Sequence, residues 1–134
     1  MERFLGKYSA YLYALLRIVS GLMFAMHGSQ KLFGIPGNQP PVPLASLAGV
    51  AGVIELVAGL MIAIGLLAGY AAFIASGQMA VAFFYAHFSI DSPLPILNRG
   101  EMAVLYCFLF LYMASYGSGT WSVDSLRRPR PNTH

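Results

Sequence analysis

Four long apolar stretches, at about 8–31, 44–67, 68–88 and 101–116, are separated by short interruptions rich in Pro, Gly and polar residues. A hydrocarbon core of about 30 Å is crossed by about 20 helical residues at 1.5 Å each. The first three stretches reach that length. The fourth is short and needs the Gly117 to Trp121 region, or a locally thinned bilayer, to complete a crossing. The pattern predicts an all-α fold, an integral membrane antiparallel four-helix bundle, in one domain over residues 1–134, with 122–134 as a flexible basic tail.

Within the first stretch, Arg17, Ser20, Gly21, Phe24, His27, Gly28 and Lys31 recur at steps of three and four, a polar and small-residue stripe on an otherwise aliphatic helix. Ionisable groups are costly in hydrocarbon, so this stripe is expected to face other helices. The second stretch divides in the same way. Ala48, Ala51, Gly52, Glu55, Ala58 and Gly59 form a small-residue face suited to close helix packing, opposite Leu47, Val50, Ile54, Val57, Met61 and Ile64. The third stretch carries Gln78 and His87 nine residues apart, about half a turn out of phase, so both face one neighbour only if the helix bends.

The connections are legible too. Pro36, Pro40, Pro41 and Pro43 preclude a helix in the first loop, and Gly65 to Gly69 reads as a tight hairpin. Asn98 followed by Glu101 resembles a capping box at the start of the fourth helix. Trp121 is placed as an interfacial anchor.

Composition and charge sharpen this picture. Charged residues make up 10% and apolar residues 57% of the 134 positions, whereas soluble domains carry about a quarter charged. Arg3 and Lys7 precede the first helix and Arg127, Arg128 and Arg130 follow the fourth, so positive-inside bias puts both termini in the cytoplasm and requires an even number of spans. The net charge of +3 is topological marking and implies no nucleic-acid partner. Arg17 interrupts the first apolar run, which therefore reads as a retained membrane helix rather than a signal peptide. The lone Cys107 reads as a packing residue.

Stacked antiparallel, the helices place polar residues at two depths. Arg17, Glu55 and Gln78 fall near the middle, where a structural Arg17–Glu55 pair competes with a proton or substrate relay. His27, Gln30, Lys31, His87, Asn98 and Glu101 collect at the extracytoplasmic end. That outer layer is open to several readings: an interfacial hydrogen-bond cluster, or a quinone-like pocket with the ring among Phe24, Phe83, Phe84 and Phe88. The two His could also ligate a haem, or with Glu101 a metal, but no CxxCH or paired His on one helix supports either.

The His27-Gly28-Ser29-Gln30-Lys31-Leu32-Phe33-Gly34 segment, the Ala48 to Glu55 helix, His87, Asn98-Arg99-Gly100-Glu101 and Gly119-Thr120-Trp121-Ser122-Val123-Asp124 together resemble the DoxX family of small bacterial and archaeal membrane proteins. The resemblance runs from about Tyr11 to Asp124. It implies a four-helix protein of the inner membrane, in a family associated with terminal oxidase and thiosulfate:quinone oxidoreductase activity. The family's Asn-Gly-Gly-Glu stands here as Asn98-Arg99-Gly100-Glu101, with an added cation. The expected function is a subunit or accessory of a membrane oxidoreductase. Its quinone-like or proton-exchanging site would be built from His27, Lys31, His87, Asn98 and Glu101, and its partners would be the lipid bilayer and either a redox complex or further copies of itself. The alternative is a non-enzymatic structural or assembly subunit whose polar residues serve folding. No soluble flavin, haem or iron–sulfur motif is present, so electron transfer would need a partner. A transporter is disfavoured by the absence of an inverted repeat.

Overall fold

The computed structural model describes residues 1–128, and every regular element among them is helical. A short α1 (Glu2–Leu5) and a 3-10 turn lead into α2 (Ser9–Phe33). Then come α3 (Leu47–Ile64), α4 (Ala68–Ala82) with a π-helical turn at Phe83–His87, a short α5 (Pro95–Asn98), α6 (Glu101–Tyr116) and α7 (Val123–Arg127). Helix ends follow local chemistry. Ser46 caps α3 by accepting from the Gly49 amide at 3.0 Å, and Gly65 stops it in the left-handed region at φ 71°. The second stretch is therefore trimmed at both ends relative to the apolar run.

Glycines set the closest packing, between α2 and α3. A Cβ on Gly21 would lie 2.6 Å from the Ala63 amide nitrogen, and one on Gly59 would lie 2.6 Å from that of Ala25. Gly28 meets Gly52 and Leu56 in the same way. Backbones can approach this closely only without side chains between them. This register sets the rest: Arg17 comes level with Ile62 and Ala63, and Glu55 level with Gly28.

On the other side, α4 packs on α6 through Ala71, Ala72 and Ala75, and Ser76 donates to the Cys107 carbonyl at 2.7 Å. The α2–α6 seam is filled instead by rings, with Phe24 4.8 Å from Phe110 and 5.6 Å from Tyr106, and Tyr13 3.9 Å from Tyr116. Leu12, Leu15, Val19 and Leu22 on α2, and Val50, Val53 and Val57 on α3, remain exposed. Among the described residues, three helices are long and apolar enough to cross a membrane, namely Glu2–Phe33, Leu47–Ile64 and Ala68–His87, while Glu101–Tyr116 is shorter. These surfaces suit a membrane helical bundle.

Two local expectations are corrected. The tail from 122 onward is not featureless: α7 forms within it, and Asp124 is bonded to the α3–α4 turn; residues 129–134 lie outside the described residues. The capping box at Asn98 and Glu101 does not form. Gly100 occupies the cap position without a side-chain bond, and the Asn98 amide oxygen accepts from the Gly100 amide at 2.9 Å. Arg99 at φ 61° ends α5 and breaks the spacing that a capping box needs.

Candidate functional site

Helix α3 carries one charged residue, Glu55, and packing against α2 turns it inward to 2% exposure. A buried carboxylate needs compensating donors. Two reach the same oxygen: Lys31 Nζ from α2 at 2.5 Å and Gln78 Nε2 from α4 at 2.8 Å. Lys31 lies one helical turn beyond Gly28, which is why it arrives at the level of Glu55. Its own side chain stays 36% exposed, so the pair joins the interior to the surface.

Beside this triad, a cleft of about 470 Å³ opens between α3 and α4. Ala51, Ile54, Gly77 and Val81 contribute to its apolar walls, while Lys31 and Gln78 supply polar groups. Tyr106 approaches from α6, 5% exposed, with its ring 6.4 Å from that of His27 at 86°. The arrangement offers an ammonium and an amide at an apolar groove, with a buried carboxylate behind them. Such a set can bind the polar head of a lipid-soluble molecule and exchange a proton with it.

Arg17 does not belong to this group, and the expected Arg17–Glu55 pair does not form. Arg17 is level with the C-terminal end of α3 and Glu55 sits at the middle of that helix, and the two residues are separated by about 16 Å of helix, the rise from Arg17 to Gly28. Arg17 is fully buried and serves main-chain carbonyls instead. Its Nη1 donates to Ile62 and Ala63 at 2.9 and 3.0 Å, and its Nη2 to Thr120 and Trp121 at 3.3 and 2.7 Å. The first two carbonyls end α3, where a cation is favoured by the helix dipole and by the unpaired last turn. The Gly119 to Asp124 segment completes a clasp there. Asp124 accepts from the Leu67 amide at 2.8 Å, its own amide donates to the Gly65 carbonyl at 3.1 Å, and Tyr13 donates to the Gly117 carbonyl at 2.6 Å. Trp121 is exposed, with its ring 5.1 Å from that of Tyr11.

The outer layer likewise separates. Lys31 turns inward to Glu55, whereas His27 is exposed against Tyr106. His87 Nδ1 donates to the Asn98 carbonyl at 3.1 Å, Asn98 Nδ2 donates to the Ser92 carbonyl at 3.0 Å, and Glu101 is exposed. His27, His87, Asn98 and Glu101 do not line the cleft. No three His, Cys, Asp or Glu come together as a metal-holding group among the described residues. Gln78 and His87, half a turn out of phase on a regular helix, also serve different partners across the π turn at Phe83–His87. Tyr106 escapes sequence reading because Tyr106, Phe108, Phe110 and Tyr112 alternate at a spacing of two, which marks no helical face.

Apolar helices of spanning length with a polar interior define a multi-pass membrane protein. The chain belongs to the DoxX family, whose family model matches residues 12–88. It is also similar to a Haemophilus influenzae protein described as an uncharacterized protein, 42% identical over 127 residues that cover 90% of this chain and 94% of the relative. No solved structure matches.

Proposed function

We propose that the protein crosses the inner membrane four times as one domain, each long helix antiparallel to the next, with both termini in the cytoplasm. The order of the glycine contacts supports the antiparallel course of α2 and α3, since Gly21 meets Gly59 while Gly28 meets Gly52. Arg3, Lys7, Arg127 and Arg128 support the orientation. In this membrane the protein serves a redox complex, as subunit or accessory, by holding a quinone-like molecule in the α3–α4 cleft. Lys31 donates to a carbonyl of the head group, and Glu55, held in place by Lys31 and Gln78, takes or returns the proton behind it. The apolar tail lies along Ile54 and Val81. Electron transfer falls to a partner.

The observation that carries this reading is a buried carboxylate, held by one ammonium and one amide, at a cleft whose walls are apolar. Gly77 supplies the test. A Cβ added there meets no heavy atom within 4 Å and Gly77 lines the cleft, so Gly77→Phe directs its ring into that space. The wild-type protein purified from native membrane should retain quinone, and Gly77→Phe should reduce retention about tenfold, equivalent to ~1.4 kcal/mol of binding. Quinone content in the wild type equal to that of an unrelated membrane protein would reject the site. The structural alternative draws its support from Arg17, all of whose bonds go to main-chain carbonyls.

A further inference from the structure

Three buried side-chain oxygens have no hydrogen-bond partner among the described residues: Glu55 Oε2, Gln78 Oε1 and Tyr106 Oη. Their groups come from three helices. Glu55 and Gln78 already touch, since Gln78 Nε2 donates to Glu55 Oε1 at 2.8 Å, so the two free oxygens are the second atoms of bonded groups. Tyr106 enters from the α2–α6 seam, with its ring stacked 5.2 Å from Phe110 and 6.4 Å from His27. Leu56, the residue after Glu55, lies against Gly28, the residue after His27, so Glu55 and the Tyr106–His27 contact stand at one level of the bundle.

Glu55 and Tyr106 are 2% and 5% exposed, too deep for bulk solvent to serve them. A carboxylate oxygen and an amide oxygen are both acceptors and cannot satisfy each other, and one phenol supplies a single proton. Water carries two donors and two lone pairs, and it fills such positions in protein interiors when several polar groups surround it.

We infer that Glu55 Oε2, Gln78 Oε1 and Tyr106 Oη hold water inside the helix bundle, and that Glu55 exchanges protons through this water. The step changes only O–H and N–H bonds: a proton that the Lys31 ammonium gives to Glu55 passes on to the water, the water returns another of its protons by the same path, and no electrons move. Lys31 from α2 is bonded to Glu55, Tyr106 from α6 stands at the same level with the exposed His27 beside its ring, and α4 contributes the neutral Gln78. This internal site stands whether or not the cleft holds a quinone.

The test uses the full chain, free of quinone, in lipid nanodiscs. Glu2→Gln and Glu101→Gln leave Glu55 as the one glutamate, so isotope-labelled glutamate reports on it alone in the infrared. In wild-type background the Glu55 carboxyl bands should shift on transfer to heavy water. Tyr106→Phe should change their frequency, slow the shift severalfold and lower Tm, because a bridged hydroxyl is lost; Tyr112→Phe, at an exposed position of the same helix, should do none of these. A Glu55 band indifferent to heavy water would overturn the inference, even if Tyr106→Phe failed to fold. So would a Tyr106→Phe protein with unchanged Glu55 bands and an unchanged or raised Tm.

Discussion

Lys31 and Glu55, 24 positions apart in sequence and on different helices, form an ion pair of 2.5 Å in which one partner is almost wholly buried and the other reaches the surface. The asymmetry decides what each residue costs to remove. A buried charge without its partner is expensive, whereas a partly exposed ammonium can turn toward water.

Lys31→Met is therefore expected to destabilise the protein more than Glu55→Gln. The first leaves a buried carboxylate with one neutral donor, at a cost of up to ~3–5 kcal/mol, reduced by water that enters beside the exposed Lys31 position. The second replaces a carboxylate by a neutral amide beside Gln78. Thermal unfolding in detergent should rank wild type above Glu55→Gln and Glu55→Gln above Lys31→Met, with Lys31→Met/Glu55→Gln recovering most of the loss.

Arg17 and Glu55 should behave as independent residues. Their separation and their unrelated partners predict additive effects, with a coupling energy below about 0.5 kcal/mol in a double-mutant cycle. Arg17→Met alone should loosen the clasp, since four bonds to Ile62, Ala63, Thr120 and Trp121 are lost. Limited proteolysis should then cut between 117 and 128, a region resistant in wild type. A coupling energy above 1 kcal/mol, in the units of that cycle, would contradict the separation.

His27→Gln and His87→Asn should retain quinone nearly as well as wild type, because neither imidazole lines the cleft. Gln78→Leu should lose retention about tenfold, since it removes the donor that holds Glu55 at the cleft. The reverse ranking in extracted quinone would move the site back to the histidines.

Reporter fusions should place both ends of the chain in the cytoplasm. One terminus on each side would leave an odd number of crossings and remove α6 as a span.

Sequence alone determined the helices and their inward faces, because both depend on local chemistry. Apolar runs, prolines in the first loop, and Gly34 and Gly65 in the left-handed region set the ends of α2 and α3 within a few residues. The spacing of Gly21, Gly28, Gly52 and Gly59 announced the close contact that now buries them. Which charges meet was decided only by tertiary structure. Depths counted from the middle of each apolar run put Arg17 near Glu55, yet α2 has 25 residues and α3 has 18, so their midpoints need not be level. Four glycines fix the register by backbone contact and carry Glu55 toward Lys31, while Arg17 is left beside the carbonyls that end α3. A shift of a few residues between two helices, invisible in either sequence segment by itself, separates one Arg17–Glu55 pair from a carboxylate site at the middle of α3 and an arginine clasp at its C-terminal end.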